Sequence, residues 1–151
     1  MQEAKKMMRR EFIQTDLDQC ISLFISVFNE APWRDKWTDD TARRMLSDII
    51  NTPNFLGYVY LDGEEIIGFI FGHMEYWHDG NKFYLKEMCV KTNYQNKGIG
   101  GELINYLHDE LKKKDISCIY LLTAKDSLAE SFYKKNDYFR EENMILMLKS
   151  I

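Results

Sequence analysis

Proline is nearly absent from this chain, two residues in 151, so no proline-rich spacer divides it. Cysteine is too sparse and wrongly numbered for a disulfide scaffold: Cys20, Cys89 and Cys118 are odd in number, scattered, and set in apolar surroundings. That pattern predicts reduced thiols and a cytoplasmic location. No apolar run approaches the roughly 18 residues that a membrane span needs, and no apolar stretch follows the basic first ten residues as in a secretory signal. Positive charge is not in excess, with 20 Lys and Arg against 24 Asp and Glu. The chain therefore lacks the electrostatic footprint of a nucleic-acid binder, while a cationic substrate is compatible with it. His73, His78 and His108 are too dispersed to suggest a metal centre, and none is expected.

What is present suits one globular domain spanning residues 1–151. A short strand is predicted at 10–14, then a helix capped by Thr15 with Leu17, Cys20, Ile21, Phe24 and Phe28 at helical spacing. A second helix starts at its cap Thr38, with Asp39 and Asp40 in the first turn and Ala42, Met45, Leu46, Ile49 and Ile50 along one side. The period then shortens. Strands are predicted at 55–61, 65–76 and 82–90, punctuated by the turn pairs Asp62-Gly63 and Asp79-Gly80. A helix over 98–114, a strand at 117–122, a helix over 127–136 and one or two closing strands up to Leu148 complete the order. The helix between the strands at 82–90 and 117–122 makes that pair parallel. The fold class is α/β with a mixed sheet, in the order β-α-α-β-β-β-α-β-α-β(-β).

The few glycines cluster where chemistry is expected. After the strand ending at Val90 come Gln95, Asn96, Lys97, Gly98, Ile99, Gly100 and Gly101, at the mouth of the third helix. Glycines permit a tight turn and close approach, and the first helical turn offers N–H groups without intrahelical partners. Together with the helix dipole they favour a phosphate; a plain strand-to-helix connection is the alternative. The stretch has no Gly-Lys-Ser/Thr, and Leu103 stands where a dinucleotide fingerprint needs its third glycine.

Gln95-x-x-Gly98-x-Gly100 after Cys89-Val90 resembles the Gln/Arg-x-x-Gly-x-Gly/Ala motif of the GNAT superfamily of N-acetyltransferases. The segment from Ala129 through Phe132 and Tyr133 to Tyr138 and Phe139 is similar to that family's second motif, although Asp137 replaces its usual glycine. The order and separation of the two motifs agree, and the resemblance covers nearly the whole chain. It implies two central parallel strands that splay apart around the pantetheine arm of acetyl-CoA. Backbone groups of Met88, Cys89 and Val90 would pair with the pantetheine amides, and residues 95–101 would hold the pyrophosphate. Asp126 and Ser127 would line the other wall, with Asp126 standing where many members have Asn.

Acetyl transfer to an amine sets clear chemical demands. A lysine-like amine, pKa ~10.4, is neutral in only about one molecule in two thousand at pH 7, so a proton acceptor helps. Attack on the thioester makes an oxyanion that a strand N–H could stabilise, and the departing thiolate needs a proton. The resemblance implies Tyr133 as that acid; packing beside Phe132 is the alternative. Many family members carry a carboxylate four residues before the position of Val90, where this chain has Lys86. Glu87 is the candidate base, with Glu75 and Glu30 as rivals. Strict alternation sets Glu87 with Leu85 and Cys89, away from Tyr84, Met88 and Val90, unless a β-bulge reverses it.

The amine acceptor is expected to meet residues outside the cofactor motifs. Glu30, Trp33 and Trp37 lie between the first two helices, and Trp77 lies at a hairpin; capping the edge of the core is the alternative for the three tryptophans. Three functions remain open: an acetyl-CoA-dependent N-acetyltransferase on a small-molecule or peptide amine, a CoA-binding sensor without turnover, and a different phosphate-binding enzyme. A homodimer is compatible with such folds, though no segment specifies one.

Overall fold

The computed structural model describes residues 6–151. It divides into two units, Met1–Leu121 and Leu122–Ile151, each described in turn. The first holds a five-stranded sheet in sequential order, β1 (Met7–Glu11), β2 (Phe55–Asp62), β3 (Glu65–Glu75), β4 (Asn81–Val90) and β5 (Ile116–Tyr120). Neighbours are antiparallel except β4 and β5, which run parallel. The crossover between them is α3 (Ile99–Lys113). Between β1 and β2 come α1 (Leu17–Phe28) and α2 (Asp39–Ile50).

The predicted periodicities explain the layers. Cys20, Ile21, Phe24 and Val27 of α1 and Ala42, Leu46 and Ile49 of α2 pack with Val59, Phe69, Phe71 and Cys89 on one sheet face. On the other face, the α3 stripe of Leu103, Ile104, Leu107 and Leu111 is buried, and Tyr106 meets Tyr58 of β2 edge-on. Gly68 faces α3, where a Cβ would lie 3.5 Å from the Leu103 side chain.

Two boundaries differ from expectation for identifiable reasons. Strand β1 lies three residues earlier than the predicted 10–14, because its register against β2 runs from Met7↔Asp62 to Glu11↔Tyr58. Phe12 has already left the strand to join the ring cluster of Phe55 and Phe71. At the start of α1 the cap is Asp16, not Thr15. Its carboxylate accepts from the Ile13 N–H at 2.9 Å and from Arg10 at 2.7 and 3.0 Å. Burial opposes the charge on Asp16, but Arg10 and the Ile13 N–H outweigh it and hold the carboxyl below its ordinary range. Thr38 caps α2 as predicted, accepting from the Thr41 N–H at 3.1 Å.

The second unit contains α4 (Leu128–Lys135). Ser127 caps it, accepting from the Glu130 N–H at 3.1 Å and donating to the Ala124 carbonyl at 2.6 Å. The closing strands expected up to Leu148 are not formed. Residues 144–148 have strand-like composition, but a strand exists only with a partner ladder, and this segment has none among the described residues. Its side chains are 67–88 % exposed.

Candidate active site

The parallel pairing of β4 with β5 is brief. It runs from Asn81↔Ile116 to Tyr84↔Tyr120 and stops, while β4 continues six residues further to Val90. Against β3, pairing continues through Gly68↔Val90. The stretch containing Met88, Cys89 and Val90 is therefore paired with β3 and lies beyond the pairing with β5. This is the splay of the two parallel strands.

The chain then turns into α3 through backbone conformations that favour glycine. Asn96 and Gly98 are both left-handed, φ 61° and 83°. The Glu102 N–H finds the Gly98 carbonyl at 3.0 Å, so the N–H groups of Ile99, Gly100 and Gly101 precede the helical ladder. A Cβ placed on Gly98 or Gly101 would meet nothing within 4 Å. Packing within the chain does not require glycine at Gly101, and the space left there suits a group brought in from outside. Open amides at the positive end of α3 can hold a diphosphate.

Two side chains fasten this loop. Gln95 donates from Nε2 to the Val90 carbonyl at 2.9 Å, so its side chain ties the loop to the strand. Tyr94 donates to Asp62 Oδ2 at 2.5 Å, and that bond is the largest cause lifting the tyrosine to about 12. Lys97 extends over the Tyr94 ring, its ammonium 5.9 Å from the centroid. The pairing of Tyr94 with Asp62 spans 32 residues and leaves no local signal in the sequence, where Asp62 reads only as a turn residue.

The base candidate is set by an irregularity. Phe71 pairs with Glu87, but Gly72 pairs with Leu85, so Lys86 is the extra residue of a β-bulge. Strict alternation is broken there. Glu87 shares a face with Phe71, His73 and Tyr84, opposite Leu85, on the side covered by α1 and α2. Gly72 is the residue facing the bulge, and a Cβ on it would lie 2.1 Å from the Tyr84 carbonyl oxygen. Burial raises the Glu87 carboxyl to about 7, moderated by the Met88 N–H and Lys86 and reinforced by the charge of Asp35. Lys86 itself is exposed, with its ammonium 5.2 Å from the Tyr84 ring centroid.

The rival Glu75 lies four residues from Phe71 on the same face of β3. It accepts from Tyr120 Oη at 2.5 Å and Trp77 Nε1 at 3.4 Å, and its other oxygen is 3.4 Å from His73 Nε2. The Tyr120 hydrogen bond, the largest cause, holds its carboxyl below the usual range, which makes it a weaker base than Glu87. Glu30 is exposed at the end of α1. Trp37 packs edge-on against Phe24 and is clamped by the Asn29 side chain at 2.8 and 2.9 Å, a core role. Trp33 meets Phe28 but is 45 % exposed, and Trp77 is 49 % exposed.

Tyr133, Asp126 and Ser127 belong to the second unit. Tyr133 lies on α4 between the rings of Phe132 and Tyr138, at 5.2 and 5.4 Å. Asp126 is left-handed, φ 59°, and pairs with Arg140 at 2.8 Å. Its N–H donates to Glu130 at 2.7 Å. Arg140 also grips Glu130, and this pairing, foremost, lowers Glu130 to about 2. The side chains of Asp126 and Ser127 thus brace the start of α4, leaving backbone groups as their means of lining a ligand.

The acetyltransferase (GNAT) family model matches residues 17–138. The chain belongs to that family and is an acyltransferase. Solved structures agree in fold. A possible acetyltransferase from Clostridium difficile 630 superposes with a TM-score of 0.81 at 19% identity, over 96% of this chain and 98% of the other. An aminoglycoside acetyltransferase from an uncultured soil metagenomic sample, in complex with sisomicin, gives 0.74 at 23% identity over 96% of each. An aminoglycoside N-acetyltransferase in complex with CoA gives 0.74 at 14% identity, over 99% of this chain and 98% of the other.

Proposed function

We propose that residues 1–151 act as one acetyl-CoA-dependent N-acetyltransferase domain, moving an acetyl group to a primary amine of a small molecule or peptide. The observation that carries this reading is the bulge at Lys86. It sets a carboxyl titrating near neutrality on the splayed strand, in the stretch of β4 that runs past its pairing with β5. A base with a pKa near the working pH is both ionised and strong enough to accept a proton.

In this reading the amides of residues 96–101 bind the pyrophosphate of acetyl-CoA, and the open edge of 88–90 aligns its pantetheine arm. The Val90 carbonyl already accepts from Gln95, so the pantetheine arm would meet other backbone groups of that stretch. Glu87 takes the ammonium proton, directly or through one water. The amine lone pair then forms the new C–N bond as the C–S bond breaks. A strand N–H faces the carbonyl oxygen while it carries negative charge. Tyr133 returns a proton to the departing thiolate, an uphill step of only about 2 kcal/mol from pKa ~10 to ~8.5. Glu30, Trp33 and Trp77 border the acceptor, a role that an aminoglycoside or a polyamine would fill. No metal takes part. A cytoplasmic location would keep the three free cysteines as thiols. A homodimer would supply the apolar run 144–148 with a partner strand.

The test is release of free CoA from acetyl-CoA across a panel of amines. Saturable acetylation of at least one amine, with a rate that climbs through about pH 7 and loses that limb in Glu87→Gln, is expected. Wild-type and Glu87→Gln profiles of the same shape would remove Glu87 from the mechanism.

A further inference from the structure

Glu75 is held in an unusual way for a carboxylate in this chain. Asp16, Asp18, Asp39, Glu65 and Glu110 are each paired with an arginine or lysine. Glu75 is instead fixed by the neutral donors Tyr120 Oη and Trp77 Nε1, with His73 Nε2 3.4 Å from its second oxygen. Neutral donors orient a carboxylate without cancelling its charge. Lys82, directly opposite in register, sends its ammonium over the Trp77 ring, 3.9 Å from the centroid. The Lys86 ammonium lies over the Tyr84 ring, 5.2 Å from the centroid. The Glu75 side chain is 29 % exposed, so it is pre-oriented yet reachable.

Its position relative to Glu87 gives the charge a use. The register partner of Glu87 is Phe71, so four residues of β3, about 13 Å at ~3.3 Å per residue, separate the two carboxylates along one face. Between them the rings of His73, Tyr84 and Tyr120 form a stack, with centroids 5.7 and 4.6 Å apart. This row of rings crosses the sheet between the two carboxylates.

We propose that Glu75 binds a second ammonium of the acceptor, so that the enzyme selects extended diamines and polyamines over monoamines. This rests on the transferase reading, with the reacting amine at Glu87 and the intervening methylenes along the His73–Tyr84–Tyr120 rings. The low-lying carboxyl of Glu75 keeps the anchor charged throughout the range in which Glu87 titrates.

The test compares kcat/KM for diaminooctane, propanediamine and aminooctanol, the last carrying a hydroxyl in place of the distal ammonium. One charge-assisted hydrogen bond predicts a diaminooctane to aminooctanol ratio of about 10 to 100 in the wild type. Propanediamine, too short to span the sites, should gain nothing from its second amine. Glu75→Gln keeps an acceptor for Tyr120 and should bring the ratio toward one through the KM of the diamine. Equal wild-type values for diaminooctane and aminooctanol, or an unchanged ratio in Glu75→Gln, would overturn the proposal. If no amine is acetylated, the transferase reading fails on its own. Calorimetric binding of the same amines to the CoA-saturated protein then still tests Glu75 by the same ratio.

Discussion

Replacing Gly101 by leucine should move stability and coenzyme affinity in opposite directions. Gly101 is the third residue of α3, and a Cβ there meets no atom within 4 Å, so the first carbon of a new side chain enters open space. Glycine costs a helix interior up to about 1 kcal/mol relative to good helix formers, and about half of that applies near the first turn. A gain of roughly 0.5 kcal/mol shifts the melting midpoint of a chain this size upward by about 1–3 °C. The same side chain would fill the space in front of the Ile99, Gly100 and Gly101 amides. Losing two charge-assisted hydrogen bonds to a diphosphate, about 1.5–3 kcal/mol each, weakens CoA binding by at least about a hundredfold. Scanning calorimetry and CoA titration on one preparation measure both. A variant that melts higher and binds CoA like the wild type would place the diphosphate elsewhere. One that melts several degrees lower would mean Gly101 serves the fold itself.

Three further outcomes follow from the geometry. Glu87→Gln should be more stable than wild type at pH 8 and indistinguishable at pH 4. The folded carboxyl is raised to about 7, so its burial costs stability as pH climbs from the ordinary value of 4.5 through 7. The full effect is about 2–4 kcal/mol, read by urea midpoints at the two pH values. Tyr133→Phe should lower kcat while leaving CoA affinity within about twofold, because only a proton donor is lost; unchanged kcat at every pH would exclude the role. Arg140→Gln removes the cation shared by Asp126 and Glu130 and should speed amide exchange across 128–135, with equal protection refuting the brace.

The sheet, the three long helices and the glycine turn were legible because periodicity and turn chemistry act over a few residues. Thr38 and Ser127 announce their helices by type and position, and Gly98 by the left-handed turn it takes. The active face was not legible to the same degree. An alternating pattern cannot reveal an extra residue, so Lys86 in the bulge and the turn of Glu87 onto the face of Tyr84 appear only once β3 is alongside. Long-range pairings such as Tyr120 with Glu75 and Tyr94 with Asp62 leave no local trace. α1 begins after Asp16 and not Thr15, and the Asp16 carboxylate is turned back to Arg10 and the Ile13 N–H, a pairing with the preceding strand that the sequence does not announce. The closing strands were read from composition, which speaks of readiness to pair and not of a partner.

The glycine opposite the bulge ties two distant properties together. With the Tyr84 oxygen 2.1 Å from where its Cβ would stand, position 72 has room for hydrogen alone while β4 keeps its extra residue. A methyl there would press on that oxygen and on the Phe83 ring, so the smallest residue at position 72 and the extra residue at position 86 depend on each other. A substitution that adds one carbon to β3 would then change which side chains of β4 share a face, without touching the glycine turn.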